Sequence, residues 1–476
     1  VDVIARSERS ERRSNLISMS RFSRWLFIIT ILGAIPRGVF LITRGSFWFD
    51  ELFTLELAKL PFLEMLRLAS QDTNPPLWTI IMWPWAHLLP HAEWIVRLPA
   101  LALGVAAIPL VGLIGKKLAN PAAGLIAAAL VAVSPTLIYF STEARMYALF
   151  VFLTLLTCFF LITHRHRAYY VSLPLLLASH LYAIIPAFAY YLWGALTHEK
   201  QNRRRWHCTH FVLITVWGLW FAWSFLPKVG AIASNSWFAH AEARRGWPFS
   251  MLSSLTMVAG TVPWYVYWLV FTAMLGFVAY ALYRGIRAKQ TALLLPITVL
   301  GLGFIVALLV GPPKIKYFLF LLPVIAIIIG AVTARWRAAM AAFLIVIAIV
   351  STAQLTRTFR FSWDRAAAFA ETQQDAITLI PWTVNALPFR HYYRDAVPAL
   401  VIPAPGTADT SIQTLLAHNW RWELKPDYLR EQLAALVPKN GELLVVQSDP
   451  YVLGVREWLE EHGWNYEETK NFDGMG

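Results

Sequence analysis

A chain of 476 residues that is 58% hydrophobic, only 14% charged and carries 22 Trp, at a mean hydropathy of +0.52, is too apolar for a soluble enzyme; its composition is that of a polytopic membrane protein with aromatics at the interfaces. The net charge of +13 does not indicate nucleic acid, because the basic residues fall in short clusters between apolar runs: Arg6 to Arg24, Lys116-Lys117, His164 to Arg167, Lys200 to Arg205, Arg284 to Lys289 and Arg335 to Arg337. That is a positive-inside pattern. The two cysteines, Cys158 and Cys208, lie in or beside apolar spans near basic clusters, which argues against a disulfide framework and a cysteine metal site.

In chain order, residues 1–24 form a basic, Ser-rich arm expected to be cytosolic, with Met19 as an alternative start. The apolar run Trp25 to Thr43 is too long for a signal-peptide core and reads as a retained span. At about 20 apolar residues per crossing, roughly eleven spans are expected. They are Trp25 to Thr43, Ile95 to Gly115, Ala122 to Phe140, Met146 to Thr163, Tyr169 to Ala178, Ala183 to Leu196, Phe211 to Pro227, Trp264 to Tyr283, Ala292 to Val310, Tyr317 to Thr333 and Ala338 to Thr352. The short fifth and sixth make an outward hairpin with Ser179-His180-Leu181-Tyr182 at its tip, since basic clusters flank both its ends. The N-terminus is then cytoplasmic and residues 353–476 extracytoplasmic.

Between the first two spans lies a long external segment, Arg44 to Glu93. It opens with Phe49-Asp50-Glu51, and carboxylates so close to hydrocarbon are seldom without a role. Thr54 to Leu68 and Leu77 to Leu89 have the pattern of amphipathic helices on the membrane surface. Between them Gln71-Asp72-Thr73-Asn74-Pro75-Pro76 makes a rigid turn in which Asn74 could cap the second helix, and Asp72 adds a carboxylate on the Asp50 side. At the start of the fourth span, Glu143 suits a helix N-terminus, whereas Arg145 does not and should have an anionic partner; in helical geometry Glu143 and Tyr147 share a face. Lys314 and Lys316 fall on the outer side, against the general charge bias: they either snorkel to headgroups or hold a phosphate.

Beyond Thr352 polar residues return, and helices at Asp364 to Gln373, Tyr428 to Leu436 and Val455 to His462 alternate with strands at Ala376 to Ile380 and Glu442 to Gln447. The pattern is that of a small soluble α/β domain with a mainly parallel sheet, acting as a lid or an acceptor platform.

Taken together, Phe49-Asp50-Glu51, Asp72 to Trp78, Glu143-Ala-Arg145-Met-Tyr147 and the hairpin with His180 and Tyr182 resemble the motifs of the C-type glycosyltransferases, in particular the bacterial relatives of the protein O-mannosyltransferases and the lipid A aminoarabinose transferases. The resemblance spans Phe27 to about Thr352. It departs from the family in the C-terminal region, which is not a β-trefoil, and in the segment Gly230 to Pro248. It implies transfer of a sugar from a polyprenyl-phosphate donor to a lipid, glycan or protein acceptor on the extracytoplasmic face of a bacterial inner membrane. Asp50 maps onto the family's base, with Glu51 holding acceptor or network.

The residues fit that chemistry. A sugar phosphate already has a good leaving group, whereas the incoming hydroxyl gains from a carboxylate that takes its proton. Cations such as Arg145, Lys314 and Lys316 would meet charge on the departing phosphate. Asp72, Glu143, Tyr147, His180 and Tyr182 are candidates for the acceptor or its network. Direct displacement inverts the anomeric centre; retention would need a carboxylate nucleophile, for which Glu51 or Asp72 is available. No cofactor is required by the spacing; a divalent metal, if bound, would fall to Asp50, Glu51 and His180. The competing class is a transporter or flippase, which internal repeats and mid-membrane charges would favour.

Overall fold

The computed structural model describes residues 20–197, 200–228, 293–310, 315–336, 362–373, 376–380, 383–393, 399–401, 442–446 and 459–465, with isolated positions between 272 and 352. Lys314, the segment 230–248 and the helix expected at Tyr428 to Leu436 lie outside them, as do most residues of the spans expected at Trp264 to Tyr283 and Ala338 to Thr352.

The first apolar run forms the helix Arg21–Thr43, which Ser20 starts by accepting from Ser23 N at 3.2 Å. It is apolar all round, so burial rather than polarity distinguishes its faces. Phe27, Leu32, Ile35, Val39 and Ile42 are exposed as lipid-facing residues should be, while Leu26, Gly33, Arg37 and Phe40 are buried. The buried face packs on Glu93–Leu118, which also packs on Pro121–Val133 and Tyr147–Ile162 and so sits centrally in the bundle. Small residues permit the closest of these approaches: a Cβ on Gly115 would stand 2.9 Å from Gly124 Cα. Three helices among the described residues are long and apolar enough to cross a membrane, Arg21–Thr43, Glu93–Leu118 and Arg203–Phe225, and five shorter apolar helices accompany them.

The third span is not the continuous helix expected over Ala122 to Phe140. It breaks into Pro121–Val133 and Pro135–Phe140 at Ser134. Pro135 has no N–H for the carbonyl of Val131, and a membrane interior offers no water in exchange. Arg37, within the first span, resolves this: its guanidinium donates to Val131 O at 2.9 Å, Ala132 O at 2.8 Å and Gly33 O at 2.7 Å.

At the Asp50 end of the bundle the segment after the first span folds into Phe49–Lys59, Phe62–Ala69 and Leu77–Leu88. Asn74 does not cap the last of these, whose start is held by Pro76 without a side-chain cap. Its Oδ1 instead accepts from Leu181 N at 3.4 Å, tying the turn to the tip of the hairpin made by His166–Leu177 and Ile184–Thr197. Beyond residue 362, β1 (Ala376–Ile380) lies between β2 (Ala399–Val401) and β3 (Glu442–Val445), parallel to both. Helices Trp363–Thr372 and Thr383–Tyr392 bury Trp363, Ala367, Ala386 and Phe389 with Ile380 of β1.

Candidate active site

Residues 44–51, the turn 141–147, the hairpin tip and the short helix Ile315–Phe318 converge on one place. Residues 141–146 are not helical; the helix starts only at Tyr147. The expected sharing of a helix face by Glu143 and Tyr147 is thereby corrected, because three Ser/Thr/Glu residues and Arg145 are spent on a turn that carries side-chain contacts instead.

Glu51 is the most tightly held residue of the site. It is fully buried, and Arg97 binds it in fork geometry, Nε to Oε1 and Nη2 to Oε2, each at 2.8 Å. Ala144 N donates to Oε1 at 3.0 Å and Trp48 N to Oε2 at 3.4 Å. Burial would raise the Glu51 carboxyl, but the Arg97 guanidinium, aided by Arg44 and the Ala144 amide, holds it below the ordinary carboxylate value. Arg97 further donates to Gly45 O at 2.9 Å and Ser46 O at 3.1 Å. It thus fixes the approach to Asp50 and, through Glu51, the turn that bears Arg145.

Glu143, also buried, pairs with Arg44 at 2.9 Å, and Arg44 lies 4.1 Å from the centre of the Tyr139 ring. Its Oε1 has no hydrogen-bond partner among the described residues. Burial, reinforced by the charge of Glu51 and only partly offset by Arg44, raises the Glu143 carboxyl.

Asp50 differs in kind. Its side chain is 22% exposed and its Oδ2 meets Lys316 Nζ at 3.0 Å across 266 residues of sequence. Lys316 sits among rings, 5.1 Å from the centre of Trp48 and 5.7 Å from those of Tyr147 and Tyr317. Burial would lower its ammonium, but Asp50 and the neighbouring tyrosines hold it well above the ordinary lysine value. Arg145 donates to Thr54 Oγ1 at 2.8 Å and to the backbone oxygen of Asp50 at 3.3 Å, and the charges of Asp50 and Asp72 act on its guanidinium.

Around this pair stand the remaining candidates. Tyr182 and Tyr317 stack at 5.5 Å, 10° from parallel. His180 lies fully buried between them and Phe150, and its Nδ1 accepts from Tyr182 N at 3.1 Å. Asp72 Oδ1 accepts from Thr73 N at 2.7 Å, and its backbone oxygen from Ser224. Of the sequence candidates, Asp50, Glu51, Arg145, Lys316, Tyr147 and Glu143 are therefore gathered with His180, Tyr182 and Asp72 around one end of the bundle. Arg37 and Arg97 were missed because each lies inside a run read only as apolar. The available signal was the rule that a charge within a span always has a partner.

Of the candidate metal ligands Asp50, Glu51 and His180, the last two have acceptor atoms already engaged. Both Glu51 oxygens are committed to Arg97 and backbone amides, and His180 Nδ1 accepts an amide proton, so Nε2 carries the ring's own proton.

No protein-family profile and no curated protein matches the chain in sequence. Solved structures do match it. ArnT from Cupriavidus metallidurans, crystallised with undecaprenyl phosphate, superposes with a TM-score of 0.55 at 14% identity, covering 94% of this chain and 97% of that one. The oligosaccharyltransferase of Archaeoglobus fulgidus, solved with zinc and sulfate, gives 0.50 at 12% identity over 79% of this chain and 62% of its own length. The chain has the C-type glycosyltransferase fold. At these identities the likeness concerns the fold alone, and the chain spans rather less than two thirds of the archaeal enzyme. The acidic segment after the first long helix and the hairpin tip meet at one end of the bundle.

Proposed function

We propose that the protein transfers a sugar from a polyprenyl-phosphate carrier to a hydroxyl of a lipid, glycan or protein acceptor, on the extracytoplasmic face of a bacterial inner membrane, with about eleven spans and a C-terminal α/β unit over residues 353–476. The observation that carries this reading is the Asp50–Lys316 pair: a partly exposed carboxylate and an ammonium, far apart in sequence, brought to 3.0 Å at the mouth of an apolar bundle. A glycosyl phosphate needs both groups. Asp50 takes the proton of the acceptor hydroxyl as its oxygen attacks the anomeric carbon, and the phosphate departs with the bonding pair toward Lys316 and Arg145. While Lys316 grips Asp50 the base is masked. The donor's phosphate competes for the ammonium, so donor binding frees the carboxylate and should precede reaction.

Glu51 is saturated by hydrogen bonds and cannot serve as a nucleophile without dismantling its shell, which favours direct displacement with inversion. Glu51 and Arg97 are assigned as positioning residues, and Asp72, Glu143, Tyr147 and Tyr182 as the wall of the acceptor and donor sites. No metal step is assigned, since the Glu51 oxygens are engaged by Arg97 and by the Ala144 and Trp48 amides.

The test is transfer of radiolabel from a panel of polyprenyl-phosphate sugars into lipid, glycan and protein fractions. Asp50→Asn should cut transfer by about 10²–10⁴-fold while donor binding is kept or tightened, because the competitor for Lys316 is removed, and Lys316→Met should raise the donor KM. Equal loss of binding and turnover in Asp50→Asn contradicts the base assignment. No label from any donor with folded wild type would turn attention to substrate flux.

A further inference from the structure

The imidazole at the hairpin tip is better furnished than packing requires. His180 is fully buried and its ring lies flat on Phe150, 4.6 Å away and 2° from parallel. The Tyr182 amide donates to Nδ1 at 3.1 Å. A backbone amide has only a proton to offer, so Nδ1 keeps its lone pair and the neutral ring carries its proton on Nε2. That Nε2 is buried without a hydrogen-bond partner among the described residues. An unpaired buried donor costs about 1–3 kcal/mol, and such a donor in a ligand site is accounted for when the ligand completes it.

Its surroundings identify the ligand's charge. His180 and Lys316 share the same two rings: Tyr147, 6.1 Å from the imidazole centre and 5.7 Å from the ammonium, and Tyr317, at 6.0 and 5.7 Å. Burial, with the positive charges of Arg145 and Lys316, pushes the His180 pKa down to about 3, so the ring donates while neutral. Tyr182 and Tyr317, whose rings lie 5.9 and 6.0 Å from the imidazole, are only partly buried.

We propose that His180 contacts the ligand directly, its Nε2–H donating to a phosphate oxygen of the lipid carrier beside the Lys316 ammonium. This rests on the glycosyl-phosphate reading of the site. Lys316 supplies charge and His180 direction. As the glycosyl bond breaks, electron density grows on the phosphate and the bond from His180 strengthens, which stabilises the transition state more than the bound donor. The same tautomer keeps His180 from ligating a metal, because acceptance at Nδ1 together with a metal at Nε2 would require an imidazolate.

The test is binding of sugar-free polyprenyl phosphate to the full chain in neutral-lipid nanodiscs, which involves no turnover. His180→Phe keeps the stack on Phe150 and removes the donor; it should weaken binding about 10- to 100-fold. His180→Gln offers an N–H and should recover part of the loss. Unchanged affinity in a folded His180→Phe overturns the proposal, as does binding that EDTA abolishes and zinc restores. Displacement of the lipid by stoichiometric inorganic phosphate would overturn its assignment to the lipid carrier. Should His180→Phe fail to fold, 15N-histidine spectra decide: polyprenyl phosphate must shift the Nε2–H signal identified by its absence in His180→Gln, and an unshifted signal overturns the proposal. A wild type that binds through His180 yet transfers no sugar sinks only the transferase reading.

Discussion

At the scale of single residues, adjacent carboxylates have opposite fates. Asp50 and Glu51 are neighbours on one helix turn, yet Asp50 faces a partly open site and Glu51 is sealed against Arg97. A buried pair of this kind is weak evidence of net stabilisation, but removing one partner strands the other charge, at a cost of about 3–5 kcal/mol. Glu51→Gln should therefore lower the unfolding midpoint in detergent at neutral pH. The sign with pH follows from the depressed Glu51 carboxyl. On acidification the unfolded chain takes the proton first, so the stabilisation is complete above the ordinary value of 4.5 and is lost as pH falls through the lower folded-state value. Protonated Glu and Gln are nearly isosteric, so the two proteins should converge below that window. A gap in midpoint that stays constant from pH 7 to the acid limit would show that packing, not charge, is what the variant removes. Glu143, raised by burial and by the Glu51 charge, contributes in the opposite direction, and the variant loses the Glu51 part of that contribution.

At the scale of elements, most helices among the described residues were legible, because an apolar run of the right length has few alternatives in a membrane. The strand at Ala376–Ile380 was legible from its β-branched run between turn signals, whereas β2, with three residues, is too short to carry a pattern. The break at Pro135, between Ser134 and Thr136, was not read, although proline inside a span is a visible signal, because a span delimited by its apolar length alone does not register an interruption within it. Its partner was hidden for a deeper reason: Arg37 reaches Val131 across 94 positions, and nothing local announces such a contact. The pair makes a prediction. Arg37→Met leaves the Val131 carbonyl unsatisfied in an apolar interior and should destabilise the bundle by about 2–5 kcal/mol. Pro135→Ala restores an N–H four residues after Val131. In the double variant it should return at least part of that loss, measured by denaturant unfolding in detergent. If the two losses simply add, Arg37 is not compensating for the proline.

At the scale of the whole molecule, the contacts that assemble the site join remote segments. Asp50 and Lys316 were each picked out alone, but their meeting is a property of the fold, as is the hold of the C-terminal region on the Asp50 approach. Ser46 Oγ donates to Asp364 Oδ1 at 2.6 Å, and Tyr392 OH accepts from Phe47 N while donating to Glu93, both at 2.8 Å. Residues 45–47 are thus gripped by Arg97 on one side and by the helices beyond residue 362 on the other. A rigid approach is useful to a base, since a displacement of about 1 Å can cost on the order of 10²-fold in rate. Tyr392→Phe removes the hydroxyl that joins Phe47 to Glu93 and leaves the Ser46–Asp364 contact in place. Transfer should fall about 10-fold, with polyprenyl-phosphate affinity preserved, because the phosphate groups stand on the hairpin, the 315–318 helix and the 141–147 turn. Unaltered transfer would mean that the Tyr392 hydroxyl is not needed to hold Asp50 in place. A parallel fall in donor affinity would mean that the C-terminal region orders the phosphate side as well, and the division between a base held by one part of the chain and cations held by another would have to be abandoned.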